Sequence, residues 1–430
     1  MPTDSQAAPL SLSERTRRFS LMLLISINLL NYIDRYILSA IIPLVQKDFF
    51  SPGDASATEK MGWLQTAFLL SYMGLAPVLG WLADRVQRWV LIGICVIFWS
   101  LACGASGLAA TFGIFMLTRI LIGVGEAGYG PAAPTLIADL YPAEKRGKML
   151  AWFYVATPVG SALGFVLGGT IGEKWGWQPA FFAVVIPGLL LGLLCFFFPD
   201  PKRNSAEGSR KATWTDYLSL LRNRSYVLDC LGLAAMTFSI GGIAFWMPTY
   251  VHEFRHVGTL GGVSMTIGAI AVISGLAGTL AGSYIGDKLR ARFPGSYFLV
   301  SGVGMLIGFP LFLSVLWVPF PAAWVLLALA EFFLFLNTGP SNAILANVTR
   351  PSIRATAFAL NIFVIHALGD AISPPLIGKI AGAYGRLQGN VFVPDMNVAF
   401  EAMSAMILLS GVLWVLGAKY LQADTDAASA

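Results

Sequence analysis

The chain is poor in charge. Only 12% of its 430 residues are Asp, Glu, Lys or Arg, against roughly 25% in a soluble domain, which excludes a water-facing surface over the whole fold. Histidine is scarcer still, with three in all, and the four cysteines (Cys95, Cys103, Cys195, Cys230) sit in apolar runs without CxxC or metal-ligand spacing. A disulfide scaffold and a Cys/His metal site are excluded with them; small buried hydrophobes are the expected role of these cysteines. GxSxG, HExxH and the phosphate-cradling Walker loop are all missing, so their chemistry is excluded. The sequence predicts no enzyme and no cofactor. Long polar stretches are also missing, apart from one between Asp200 and Arg224.

What is present is grease and glycine: 56% hydrophobic residues, a mean hydropathy of +0.70 and 45 glycines. Glycine is commoner in membrane helices than in soluble ones. The apolar runs are long and continuous, unlike the short alternating segments of a membrane barrel. At about 20 apolar residues per crossing plus turns, the length accommodates twelve helices. The expected organisation is an N-terminal tail (1–18), a six-helix bundle (19–199), a middle loop (200–224), a second six-helix bundle (225–420) and a C-terminal tail (421–430). The tail's Arg15, Arg17 and Arg18 precede an apolar run too long for a cleavable signal. Within the middle loop, WTDYLSLLRN has the character of a short interfacial helix.

Alternate loops carry unequal positive charge. Twenty Lys and Arg fall on the side of both termini, six on the other, and Arg35 and Arg119 lie within spans. The positive-inside rule therefore predicts cytoplasmic termini, and the pI near 9.0 needs no nucleic-acid partner. The two halves also echo each other. Asp84-Arg85 with Arg88 after span two matches Asp287-Lys288 with Arg290 and Arg292 after span eight, 203 residues on. Gly130-Pro131 and Pro142 match Gly339-Pro340 and Pro351, 209 residues on, and Arg146 matches Arg354, 208 residues on. Such duplication is the internal symmetry of a secondary transporter built from two halves.

Gly80-Trp-Leu-Ala-Asp84-Arg85-Val-Gln-Arg88 resembles the span two–three signature of the major facilitator superfamily, departing from it at Gln87 and Trp89. The resemblance implies a twelve-helix, all-α fold with alternating access. It also implies a gating role at the cytoplasmic mouth for Gly80, Asp84, Arg85, Arg88 and Arg146, and for Asp287, Lys288 and Arg290 in the second half. More narrowly, NYIDRY (31–36), RILIGVGEAGYGPAAPTLIADLYPAEKRG (119–147) and HALGDAISP (366–374) resemble the Spinster family of lysolipid and sphingosine-1-phosphate transporters. Sugar-acid transporters of the superfamily share parts of these segments, which leaves small organic anions as the alternative cargo. The short loops point to a bacterial member, in the inner membrane and monomeric.

Charges in mid-bilayer are costly unless paired or hydrated, so each is a functional candidate. Asp34 and Arg35 fall near the middle of span one. Arg119 and Glu126 in span four are seven residues apart, about 10 Å along one helix face. The four charges cancel, and one reading is a permanent quartet pinning the two spans together. The other is a hydrated cavity where substrate competes for them: Arg35 and Arg119 then bind an anionic head group, because a guanidinium fork suits phosphate or carboxylate. Asn31 and Tyr36 flank them, and Asp34 or Glu126 would carry a coupled proton. In the second half, Glu331, His366 and Asp370 have no intramembrane cation nearby in sequence. A carboxylate without a cation in low dielectric favours its neutral form, which makes these three rival proton carriers. Phe245, Trp246, Phe332 and Phe363 are either helix packing or the greasy wall of the cavity. A charged half facing a greasy half suits an amphipathic anion.

Two glycine patterns are set aside as packing. Gly123, Gly125 and Gly128 form GxGxxG inside an apolar helix rather than between strand and helix. Gly160, Gly164 and Gly168 form a small-residue stripe. The Asn223 and Asn347 sequons lie on the predicted cytoplasmic side.

Overall fold

The computed structural model describes residues 12–201, 214–350 and 353–429. Most of the middle loop, including Lys202, Arg203, Arg210 and Lys211, lies outside the described residues. Among the described residues, twelve helices are long and apolar enough to cross a membrane. Spans one to six are Glu14–Phe49, Ala57–Ala83, Arg88–Gly107, Phe112–Leu140, Lys145–Trp175 and Trp177–Cys195. Spans seven to twelve are Arg224–Phe254, Leu260–Arg290, Ser296–Trp317, Ala322–Val348, Thr356–Ala383 and Met396–Gly417. The all-α expectation holds, and a short helix does form within WTDYLSLLRN, at Trp214–Arg222. The sequence reading missed one hairpin, β1 (Arg386–Gln388) with β2 (Val391–Val393), which turns through Gly389 at φ 64°.

Polar residues start the helices where the chain leaves a loop. Ser13, Thr111, Asn223, Thr259 and Asp395 each accept a hydrogen bond from the backbone N–H three residues on, satisfying donors that a helix N-terminus leaves open. Asn223 is thereby accounted for: its Oδ1 caps span seven, and its Nδ2 donates to the Val348 carbonyl at 3.0 Å. The sequon there is structural.

The small-residue stripe sets the distance between spans one and five. A Cβ placed at Gly160, Gly164 or Gly168 would meet the carbonyl oxygens of Leu29, Ile33 and Ile37 respectively, and Gly172 extends the row onto Ile41. Four glycines at four-residue intervals thus face four residues of span one at the same interval, so the two backbones touch along four turns. The GxGxxG segment behaves likewise: Gly123 abuts Phe68 and Ser71 of span two, while Gly125 and Gly128 abut Trp99 and Cys95 of span three.

The duplication is visible in three dimensions. Gly80 of span two packs against Pro131 of span four, and in the second half Ser283 of span eight packs against Gly339 of span ten. Arg146 donates to the carbonyl of Tyr141 (3.0 Å) and Arg354 to that of Thr349 (3.3 Å), each five residues back.

Among the described residues, the polar links between the halves all lie toward the face away from the termini. Lys47 pairs with Glu253 at 2.9 Å, and the Gly261 amide donates to Glu173 at 2.7 Å. The Phe392 amide donates to the Pro52 carbonyl at 2.7 Å, and the Thr66 hydroxyl donates to the Ala371 carbonyl at 2.5 Å. Gly62 against Pro374 and Gly268 against Ala162 complete the seam. The halves are therefore joined on that face.

Lengthening the stripe tests its role. Gly164→Leu should destabilise the protein by about 1–3 kcal/mol, the usual range for overpacking, because the side chain meets backbone that cannot step aside. Gly147 has open space around it, so Gly147→Ala should leave the melting temperature unchanged or raise it. Thermal unfolding of the two detergent-solubilised variants, read by intrinsic fluorescence, checks both.

Candidate functional site

Three spans break where their charged residues sit. Span four runs as Phe112–Glu126 and then Tyr129–Leu140, so Glu126 ends the first segment. Span ten breaks at Phe335–Asn337, just after Glu331. Span eleven widens into a π-type turn over His366–Asp370, with Gly369 at φ −101°, ψ −110°. Irregular backbone is tolerated inside a membrane protein where protein or a water-filled cavity satisfies it.

The expected quartet is divided into two sets. Arg35 pairs with Glu126: its Nε and Nη2 both lie 2.7 Å from Glu126 Oε2. Its guanidinium is also caged by three rings, Tyr32, Phe68 and Tyr72, at 5.3, 4.9 and 5.2 Å, a stabilising arrangement for a cation. The Arg35 side chain keeps 18% of its surface exposed while Glu126 has none. The arginine is thus the half of the pair that a solute can reach.

Asp34 and Arg119 form the other set, behind the first. Both are buried, at 2% and 4% exposure. Arg119 donates to Ser106 Oγ at 2.9 Å, Ser106 also bonds Thr118, and the guanidinium lies over Phe115 and Phe181. Asp34 and Arg119 act on each other electrostatically, with Trp99 beside them. Seven residues on one helix did place Arg119 and Glu126 on a common face, but Arg119 looks into the packed interior of the first half rather than into the gap between halves. Asn31 is buried next to Glu126, and Tyr36 packs edge-on against Phe165.

In the second half, His366 Nδ1 lies 2.9 Å from Asp370 Oδ1, the one-turn pairing that the i,i+4 spacing predicts. Asp370 packs against Gly241 of span seven and is within electrostatic reach of Tyr36 of span one, so this pair faces the first half. Glu331 is different: its Oε2 is buried and has no hydrogen-bond partner among the described residues. Of the four aromatic candidates, two lie in the core. Phe245 and Trp246 are core, at 3% and 0% exposure, and the Trp246 indole donates to the Pro374 carbonyl at 2.9 Å. Phe332 packs edge-on with Phe333, and its backbone carbonyl lies against Gly278 of span eight; Phe363 is exposed.

At the face carrying the termini, Arg88 is the hub of the signature motif. It is buried and reaches Asp139 at 2.6 Å and Asp200 at 2.9 Å, while its own amide donates to Asp200 at 2.9 Å. One arginine therefore ties the start of span three to the ends of spans four and six. Asp84 and Arg85 are exposed, and Arg85 stacks on Trp81 at 3.8 Å. Asp287 accepts from the Tyr297 hydroxyl at 2.7 Å, Arg290 lies over the Tyr297 ring, and Lys288 lies over Tyr284. Sequence reasoning missed Asp139 and Asp200, the aromatic cage, and the cross-half acids Glu173 and Glu253. It also missed Asp229, fully buried and bonded by the Trp414 indole at 2.9 Å. Tyr32 and Tyr72 had a findable signal, since ring side chains one helix position or one neighbouring span from Arg35 are its natural partners. The acids' partners are distant in sequence and leave no local mark.

Residues 24–374 match the model of the Major Facilitator Superfamily. Protein spinster homolog 3 of Danio rerio is 36% identical over 429 residues, 95% of this chain and 84% of that protein. Protein spinster homolog 1 of Homo sapiens is 36% identical over 91% of this chain and 77% of its own length. The sphingosine-1-phosphate transporter SPNS2 of Danio rerio is 34% identical over 94% and 84%. Among solved structures, a bacterial homolog to the human lysosomal transporter Spinster, inward-facing and unoccupied, superposes with a TM-score of 0.78 at 21% identity, covering 96% of this chain and 98% of that one. The D-xylose-proton symporter does so with 0.72 at 17% identity, covering 92% and 97%.

Arg88→Ala removes the buried guanidinium that bonds both Asp139 and Asp200, and breaking a buried pair costs about 3–5 kcal/mol. The variant should melt well below wild type, whereas Arg85→Ala, whose partner ring is exposed, should melt within about 0.5 kcal/mol of it. Chemical denaturation in mixed micelles measures the difference.

Proposed function

The chain belongs to the Spinster family of the major facilitator superfamily, and on that premise we propose that it moves amphipathic anionic lipids, of lysophospholipid or sphingosine-1-phosphate type, by proton-coupled alternating access. It is a multi-pass membrane transporter and not an enzyme. The observation that carries the finer reading is the Arg35–Glu126 pair: a partly exposed guanidinium in a ring of aromatic side chains, backed by a buried carboxylate. An arriving phosphate takes the guanidinium fork. Glu126 then loses its cation in a dry setting, where an unpaired carboxylate is costly, and takes up a proton. Substrate and proton are linked by charge balance alone. The partly exposed rings of Tyr32 and Tyr72 offer apolar surface to the chain that follows the head group. Asp34 and Arg119 hold the neighbouring charge balance from behind, and the His366–Asp370 pair and Glu331 are the rival proton carriers in the second half.

The Lys and Arg asymmetry supports cytoplasmic termini, so the joined face is the outer one and the mouth that opens in this reading is cytoplasmic. Gly80, Asp84, Arg85, Arg146, Asp287, Lys288 and Arg290 border that mouth and would meet across it when it shuts. A bacterial inner-membrane location and a monomeric state complete the reading.

Proteoliposomes with a pH gradient test it. Arg35→Ala should weaken binding of an anionic lysolipid by ~30-fold or more, since losing one partner of a close charge pair costs ~2 kcal/mol or more. Glu126→Gln should keep substrate exchange and lose gradient-driven accumulation. Uncoupling by Asp34→Asn instead would move the proton to the buried set, and uncoupling only by Glu331→Gln or Asp370→Asn would move it to the second half. Efficient competition by small sugar acids, with no effect from lysolipid, would replace the lipid reading by the small-anion one.

A further inference from the structure

On the outer wall of the second half, away from the paired charges of spans one and four, spans nine and twelve enclose a groove of about 570 Å³, within the range of small-molecule sites. Its walls are apolar, chiefly Phe309, Leu313, Trp317 and Leu408, with Glu401 as the one acid among them. Trp317 is the last residue of span nine and largely exposed, the position of an interfacial tryptophan. Glu401 lies five residues into span twelve, ~7.5 Å below the helix start, and Leu408 lies ~18 Å below it. The groove therefore runs from the interface into the hydrocarbon layer, with a carboxylate near its mouth.

That carboxylate has no protein cation. No Lys, Arg or His among the described residues pairs with it. The nearest polar network is spent elsewhere: Tyr250 donates to Asn397 at 2.6 Å and accepts from Arg255, whose remaining bonds go to the carbonyls of Val315, Leu316 and Val318 that end span nine. An acid at this depth, facing lipid, is expensive unless a cation comes to it, and the membrane is the source at hand.

We propose that this groove is a lipid site for a phospholipid with a primary-amine head group, phosphatidylethanolamine, its ammonium donating to Glu401 and one acyl chain lying along Phe309, Leu313 and Leu408. The choice follows from hydrogen bonding. An ammonium carries three donors and makes a short charge-assisted bond to a carboxylate. A choline head group has charge but no donor, and a glycerol head group on an anionic lipid has no cation. The site takes a resident lipid and is separate from the transported solute's path.

Native mass spectrometry of the full-length protein, delipidated and then offered equimolar phosphatidylethanolamine, phosphatidylcholine and phosphatidylglycerol with identical chains, tests the proposal. Wild type should retain phosphatidylethanolamine about tenfold over phosphatidylcholine, one tenfold step being the scale of one charge-assisted bond. Glu401→Gln, nearly isosteric, should bring the preference to about one. Ala405→Trp fills the groove and should remove the bound lipid while the protein stays monodisperse. Arg35→Ala should keep the wild-type preference, which separates this site from the transport reading. Equal retention of the ethanolamine and choline lipids by wild type, or an undiminished preference in Glu401→Gln, overturns the head-group assignment. Loss of preference in Arg35→Ala places the lipid at the central site, and a disulfide-linked dimer from Trp317→Cys places a second copy in the groove; either result also overturns the proposal.

Discussion

A charge carried into a membrane must bring its own solvent. That requirement governs the first half of this protein. Arg35 is dissolved by Glu126 on one side and three aromatic rings on the others, and Arg119 by Ser106, Asp34 and two further rings. These arrangements need spans one, two, three and four at fixed separations. The glycines of spans four and five supply them: backbone contact along span one, and against Phe68 and Trp99, leaves no slack for the charged side chains to drift. Packing and electrostatics are therefore one problem here, with glycine placed to solve it.

Much of this was legible in the sequence, because membrane constraints are written locally. Apolar runs marked twelve crossings, repeated Asp-basic and Gly-Pro landmarks marked two halves, and four-residue glycine spacing marked a packed face. The intramembrane charges stood out simply by being rare. Their partners were less legible. Seven-residue spacing put Arg119 and Glu126 on one face of span four, yet a helix face is wide. Small rotations decide whether a side chain meets the gap between the halves or the interior of one. Phe245 and Trp246 stayed open between packing and cavity wall for the same reason: in a helix that is hydrophobic nearly all round, hydropathy carries no sign of which ring meets water. The Arg88 clasp was half visible. The motif named the arginine, but Asp139 and Asp200 come from elements 51 and 112 residues away.

The two faces of the molecule carry different kinds of contact. Near the termini, Arg88, Arg146 and Arg354 each bind residues of their own half, so each bundle is braced internally and can move as one body. On the far face, the links run between halves and are few: one exposed ion pair, one carboxylate on a helix N-terminus, one backbone bond and one hydroxyl. A surface ion pair contributes at most about 1 kcal/mol. Strong bonds within bodies and weak bonds between them are what a rocking pair of rigid bundles requires.

The hydroxyl is the informative one. In a regular helix the carbonyl of Ala371 would accept from the residue four positions on, but that residue is Pro375, which has no N–H. Thr66, from the other half, fills the vacancy at 2.5 Å. The donor belongs to the other half rather than to the same helix, so water can take its place at the carbonyl wherever the halves separate. A proline in one half has thus made a bond that can be exchanged rather than merely broken.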